Sequence, residues 1–241
     1  MFEWLERRAV QDRREEMPSP IGDGLLITGH TGLMAGTQVA SNLGWRAVEE
    51  LRVGEKVLTF DNAMQTVTDI QRDRLVLPEC ELGEDHLPIH VPEGALYNRC
   101  DLWLMPEQGM LIECDAVHDA VGEPYAVVPA RLLCGLRGID RGRPAHALEV
   151  VTLAFARDEA VYVEGGMLAY CPRPVALFPG GDDVGRGLYE RVDGRAGRFL
   201  MKCLREDDDI RAVASPPECM PAGIPSSHVR PRRPAMIAEH P

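Results

Sequence analysis

Short apolar runs separated by turn-forming residues dominate the chain from Gly24 to about Pro174. The runs read GLLIT, TQVA, KVLTF, TVTDI, DRLVL, MLIE, YAVV, LEVVTLAF and AVYVEG, and between them stand Asn42, Gly44, Gly54, Asp61-Asn62, Pro92, Gly94 and Gly165-Gly166. Runs of this length, rich in β-branched residues and bounded by such punctuation, predict an all-β sandwich or barrel-like domain. One short helix is expected at Pro129-Ala130-Arg131-Leu132-Leu133, where proline suits the first helical position. Residues 1–17 place Trp4, Leu5 and Ala9 on one helical face before Pro18 and Pro20, but so short a helix is marginal in isolation, and a solvated arm is the expectation. Past about residue 175 the strand signal fades. Glu206 to Asp209 is an acidic run, and seven of the nineteen prolines follow Ser215. Such a segment buries too little apolar surface to offset its ordering entropy. The expected organisation is an arm over 1–23, a β domain over 24–175 and an extension over 176–241 that is largely disordered after about 205.

Charge narrows the partners. A net charge of −12 is the wrong sign for displacing counterions from a polyanion, so no nucleic-acid partner is expected. No apolar stretch is long enough to span a bilayer, and the N-terminal residues lack the apolar run of a signal peptide, so a cytoplasmic location is the default, with export by a signal-less route left open. The seven cysteines, at 80, 100, 114, 134, 171, 203 and 219, form no CxxC pair and read as reduced thiols.

Four segments carry a resemblance. The first reads GLMAGTQVASNLGWRAVEELRVGEKVLTFD from Gly32 to Asp61, with Gly36-Thr37, Val48-Glu49, Leu51, Gly54 and Val57 at telling spacings. The others are Cys100 to Gln108 (CDLWLMPEQ), Tyr125 to Leu132 (YAVVPARL) and Arg157 to Gly165 (RDEAVYVEG). In this order they resemble the blocks of the Hint (hedgehog/intein) superfamily, in its bacterial branch, with Glu55 standing where the family usually has aspartate. The resemblance covers about residues 24–174. It implies a Hint-type compact β horseshoe with short helices and flexible termini, and a descent from self-cleaving domains.

Autoprocessing of that kind needs a nucleophile on the first residue of the domain, to take over the acyl group of the preceding peptide. It also needs a histidine in the second block to protonate the leaving amine. The resemblance places the nucleophile four residues before Gly36, at Gly32, which has no side chain. The second-block hydroxyl residue falls on Met105 and the histidine on Gln108, whose amide does not titrate near neutral pH. The later-strand polar pair falls on Ala156 and Asp158, of which only Asp158 titrates. The expectation is a catalytically silent scaffold or interaction module with an unidentified protein partner, leaning away from an enzyme and needing no cofactor.

Two rival readings remain at this point. Thr31, one residue upstream of Gly32 and after His30, or a cysteine such as Cys100, could serve a shifted autoproteolytic site, although a one-residue slip turns a strand side chain to the opposite face. Cys80, Glu84, His86 and His90, with Cys114, Asp115 and His118, carry ligand types that suit zinc. Pro88 interrupts any regular helix that would present His86 and His90 together, and ordinary surface residues are expected there instead. Asp101, Trp103 and Glu107 read as part of a half-buried strand rather than a pocket. Gly180-Gly181 and Gly185-Arg186-Gly187 lack the strand and helix of a phosphate loop.

Overall fold

The computed structural model describes residues 31–75, 77, 84–114, 122, 124–173 and 189–216. The expected N-terminal arm, the first apolar run (GLLIT), the glycine pairs near 180 and 186 and the proline-rich tail beyond 216 lie outside the described residues.

Two sheets share one apolar core. The first contains β1 (Leu33–Met34), β6 (Asp69–Leu75), β7 (Ile89–Val91), β8 (Leu102–Leu104), β11 (Asp140–Arg141) and β12 (Leu148–Ala154), in the order β11-β7-β8-β1-β12-β6. The second runs β15 (Glu190–Arg191), β10 (Tyr125–Pro129), β9 (Gly109–Glu113), β14 (Met167–Cys171), β13 (Glu159–Val163), β2 (Gln38–Ser41), β4 (Lys56–Thr59), β5 (Ala63–Thr66), with β3 (Gly44–Ala47) on β2. Among the described residues neither order closes on itself, so the architecture is all-β without a closed barrel. Among the described residues all pairings are antiparallel except the short β10–β15 pair.

The alternation read from the sequence explains the core. Leu102 and Leu104 point inward while Trp103 between them is half-buried, and Val39, Val57, Val151, Val161 and Val163 join Leu33, Leu104 and Phe155 in the main cluster. Gly165 is fixed by close packing: its φ is +74°, and a Cβ there would sit on the carbonyl oxygen of Leu96.

Three expectations need correction. The run TVTDI is not one strand. Val67 and Thr68 carry the chain from the second sheet to the first, with the Val67 N–H donating to the Glu55 carbonyl and the Thr68 N–H to that of Ala154. Ladder bonds to two different sheets cannot be made by one straight strand. The expected helix at 129–133 is a 3-10 turn, Ala130–Leu133.

The segment beyond 175 also contributes to the core. α1 (Gly194–Glu206) starts at the N-cap Asp193, which accepts from the Gly194 N–H. It buries Gly197, Leu200, Met201 and Leu204, spaced for one face, against the turn at 130–133. Gly197 permits that approach, since a Cβ there would lie 2.6 Å from Cδ1 of Leu132. The acidic run that follows is not a free tail. Asp208 pairs with the Arg137 guanidinium through both carboxylate oxygens, and Ile210, Ala212, Val213 and Ala214 are buried in the main core.

Candidate functional site

β1 is only two residues long, yet it lies in the middle of its sheet, with Leu33 opposite Val151 on one side and Leu104 on the other. That placement brings Gly32 to the loop after β8. The Gly32 N–H donates to Oε1 of Gln108 at 2.9 Å, and this bond is buried. Gln108 is only 3% exposed. Its amide nitrogen donates to the carbonyls of Gly109 and Tyr170, each at 2.9 Å. Two carbonyls that need donors and one N–H that needs an acceptor fix which end of the amide is which.

The loop is held from behind as well. The Ala130 N–H donates to the Gln108 carbonyl at 2.9 Å and the Arg131 N–H to that of Pro106 at 3.0 Å. The Arg131 side chain bridges Glu107 and Asp193, both at 2.5 Å, and Arg191 pairs with the second oxygen of Glu107 at 2.8 Å. Burial works to lower the Arg131 pKa, but Glu107 and Asp193 outweigh it and the net shift is upward. Nothing in the sequence flagged Glu107, Arg131 and Asp193 as a unit, because two lie in a family block and the third lies far downstream.

Around Gly32 there is no room for a side chain. Its φ is +124°, and a Cβ built on it would stand 2.6 Å from Cγ1 of Val150 and 3.0 Å from Oγ1 of Thr152. Met105 is 3% exposed and packs with Met34, Leu75 and Val150. Met105, the position to which the resemblance assigns a hydroxyl residue, thus presents a thioether to an apolar cluster. Thr31 is exposed at the edge of the described residues.

Ala156 and Asp158 lie in the turn between β12 and β13, with Ala156 exposed and Asp158 half-buried. Asp158 accepts from the Arg173 N–H at 2.9 Å. Burial and the adjacent, hydrogen-bonded Asp158 carboxylate push the Tyr170 hydroxyl pKa upward. Tyr170 thus touches two of these positions: its backbone carbonyl receives Gln108 and its side chain meets Asp158.

The retained framework residues have plain structural work. Glu49 accepts from the Gly36 N–H at 2.9 Å, and the Thr37 carbonyl accepts from Val48 at the same distance. Glu55 accepts from the Arg52 N–H and from the Arg46 guanidinium, and the backbone bond first, then Arg46, holds its carboxyl below the usual range. Glu164 accepts from the Arg99 N–H at 2.8 Å.

A family model described as Hint domain matches residues 31–168, more than half of the chain. The chain belongs to the Hint-domain family. The Hint fold is one of self-splicing and autoprocessing, and the all-β architecture agrees with it. Similar solved structures include a bacterial intein-like domain from Clostridium thermocellum (13% identity, 58% of this chain and 98% of that one, TM-score 0.38). Others are the gp41-1 intein (10%, 59% and 98%, TM-score 0.33) and an Msm DnaB1 intein splicing domain bound with zinc (14%, 58% and 98%, TM-score 0.32). No curated protein matches the chain.

Among the described residues, the rival residues do not assemble into a site in this Hint domain. Cys100 is exposed, with its Sγ 3.9 Å from Oε2 of Glu164. Local desolvation of the sulfur by its neighbours first, and then the Glu164 charge, push its thiol pKa up, away from a reactive thiolate. Among the described residues no group of three or more His, Cys, Asp and Glu side chains could hold a metal. His90 instead meets Asp101 at 3.1 Å and stacks on Trp103, while Cys114 is buried. Cys80, Asp115 and His118 lie outside the described residues. Among the described residues no helix is long and apolar enough to cross a membrane.

Proposed function

We propose that the chain is a Hint domain whose self-cleavage chemistry has been lost and which serves as a scaffold for binding another protein. The reading rests on one contact, the buried Gly32 N–H to Gln108 Oε1 bond. Acyl transfer begins with a thiol or hydroxyl at the first residue, and glycine supplies neither. Expulsion of the amine needs a proton donor aimed at the peptide nitrogen. Gln108 aims an acceptor there instead, and its two N–H groups are both committed to carbonyls.

Position and polarity argue together here. The resemblance assigns this amide the position of a catalytic imidazole, and here it holds the Gly32 N–H of the intact peptide. A contact that favours the intact peptide as much as any later state does not accelerate its cleavage.

The test is the intact mass of the purified full chain, followed over a day with and without added thiol. One unchanging mass is expected. Fragments cut beside residue 31 would overturn the proposal, and Thr31→Ala would then show whether Thr31 is the nucleophile.

A further inference from the structure

We infer that the outward face of α1 is a docking surface for an acidic protein segment that also carries an apolar side chain. This rests on the scaffold reading above. Arg195, Arg198, Phe199 and Lys202 recur at helical spacing, so they share one face, and all four are exposed. Phe199 is 68% exposed, among the largest exposures of any large apolar residue described. The opposite face, with Leu200, Met201 and Leu204, is already buried in the domain, so Phe199 is not a core residue that has slipped outward.

Charge says what the face fits. The whole chain carries 38 acidic against 26 basic residues, whereas α1 carries four cations against the single anion Glu206. Lys202 pairs with Glu206 at 3.6 Å, while Arg195 and Arg198 form no ion pair among the described residues. Arginine beside an exposed aromatic is the composition that concentrates binding energy at protein interfaces. A local cationic patch on an acidic body attracts anionic partners and orients them onto that patch.

Other polyanions fit less well. Membrane-surface helices bury a continuous apolar face, but here that face is spent on the domain, and one phenylalanine remains. Three cations give nucleic acid few phosphate contacts, and a single aromatic gives it no stacking platform.

The experiment uses the full chain and a fluorescein-labelled peptide rich in aspartate and glutamate with one leucine and one tryptophan, read by fluorescence anisotropy. Binding should weaken with added salt. Phe199→Ser and the double change Arg195→Glu/Arg198→Glu should each reduce affinity by about tenfold, and a peptide with Asn and Gln in place of its acids should lose at least as much. All these side chains are exposed, so circular dichroism should be unchanged in the variants. No peptide binding, equal binding by the variants, or tighter binding to phosphatidylserine vesicles or single-stranded DNA would overturn the inference. Peptide binding and chain cleavage are read separately, so failure here leaves the mass experiment to judge the scaffold reading on its own.

Discussion

Cγ1 of Val150 stands 2.6 Å from the point where a Cβ on Gly32 would be. The exclusion of any side chain at position 32, where the proposed reading puts a lost nucleophile, is therefore built into its neighbours as well as its own residue type. Val150 belongs to the same apolar cluster as Met105, so the two positions are linked by packing. Restoring a reactive side chain at residue 32 means moving a core valine and abandoning a backbone conformation that favours glycine.

Gly32→Ala should consequently destabilise the domain by about 2 kcal/mol, from left-handed backbone strain plus overpacking. Adding Val150→Ala should recover the packing part, so the two substitutions would be non-additive. Thermal or urea unfolding of the two single variants and the double variant checks this. Additive losses would mean that Val150 is not what excludes a side chain.

Gln108→Ala strands one buried N–H and two carbonyls and should cost about 3 kcal/mol. Gln108→His should leave the chain uncut, because an imidazole without a nucleophile beside it completes only half of the chemistry. Denaturant titration reads the first effect and intact mass the second.

Arg131 ties the Gln108 loop to the N-cap of α1 by way of Glu107 and Asp193. Arg131→Ala should cost about 1–2 kcal/mol, as the pairs are partly solvated. Arg131→Lys should recover less than half of that, since an ammonium cannot span both carboxylates as the guanidinium fork does. Hydrogen exchange over residues 194–206 should quicken in both variants.

Glu159 gives the stability a pH dependence. It is fully buried, with both carboxylate oxygens 3.1 Å from the Asn62 amide nitrogen, and burial raises its pKa above the ordinary 4.5 despite the hydrogen bonds from Asn62 and Thr59. The folded state therefore holds this proton more tightly than the unfolded one. The stabilisation is fully present below the ordinary value and is lost as pH rises through the raised one. Glu159→Gln should remove that slope, so that its melting temperature gains on the parent's as pH is taken from acidic to neutral. A parallel pair of pH profiles would contradict this.

The sequence made the β architecture legible because its alternation matches burial, as at Leu102, Trp103 and Leu104. The spacing of Gly36-Thr37 and the second block singled out Gly32 and Gln108, and these two meet although 76 positions apart in sequence. Val150 was not legible, since nothing local distinguishes a valine that crowds a glycine's missing Cβ from any other valine in a strand. α1 was also missed. Its buried face is built from Gly197, Leu200, Met201 and Leu204, diluted by arginines and followed by an acidic run whose order depends on Arg137, some seventy residues earlier. Long-range ion pairing leaves no periodic signature.

The central claim is that no acyl group ever leaves the peptide nitrogen of residue 31 or of residue 32. Hydroxylamine, at neutral pH for a thioester and at alkaline pH for an oxygen ester, intercepts any acyl intermediate that would form if one did. Mass spectrometry of the full chain after such treatment should return one unmodified species. An N-terminal fragment ending in a hydroxamate at Thr31, or at His30 if Thr31 itself attacks, would contradict it.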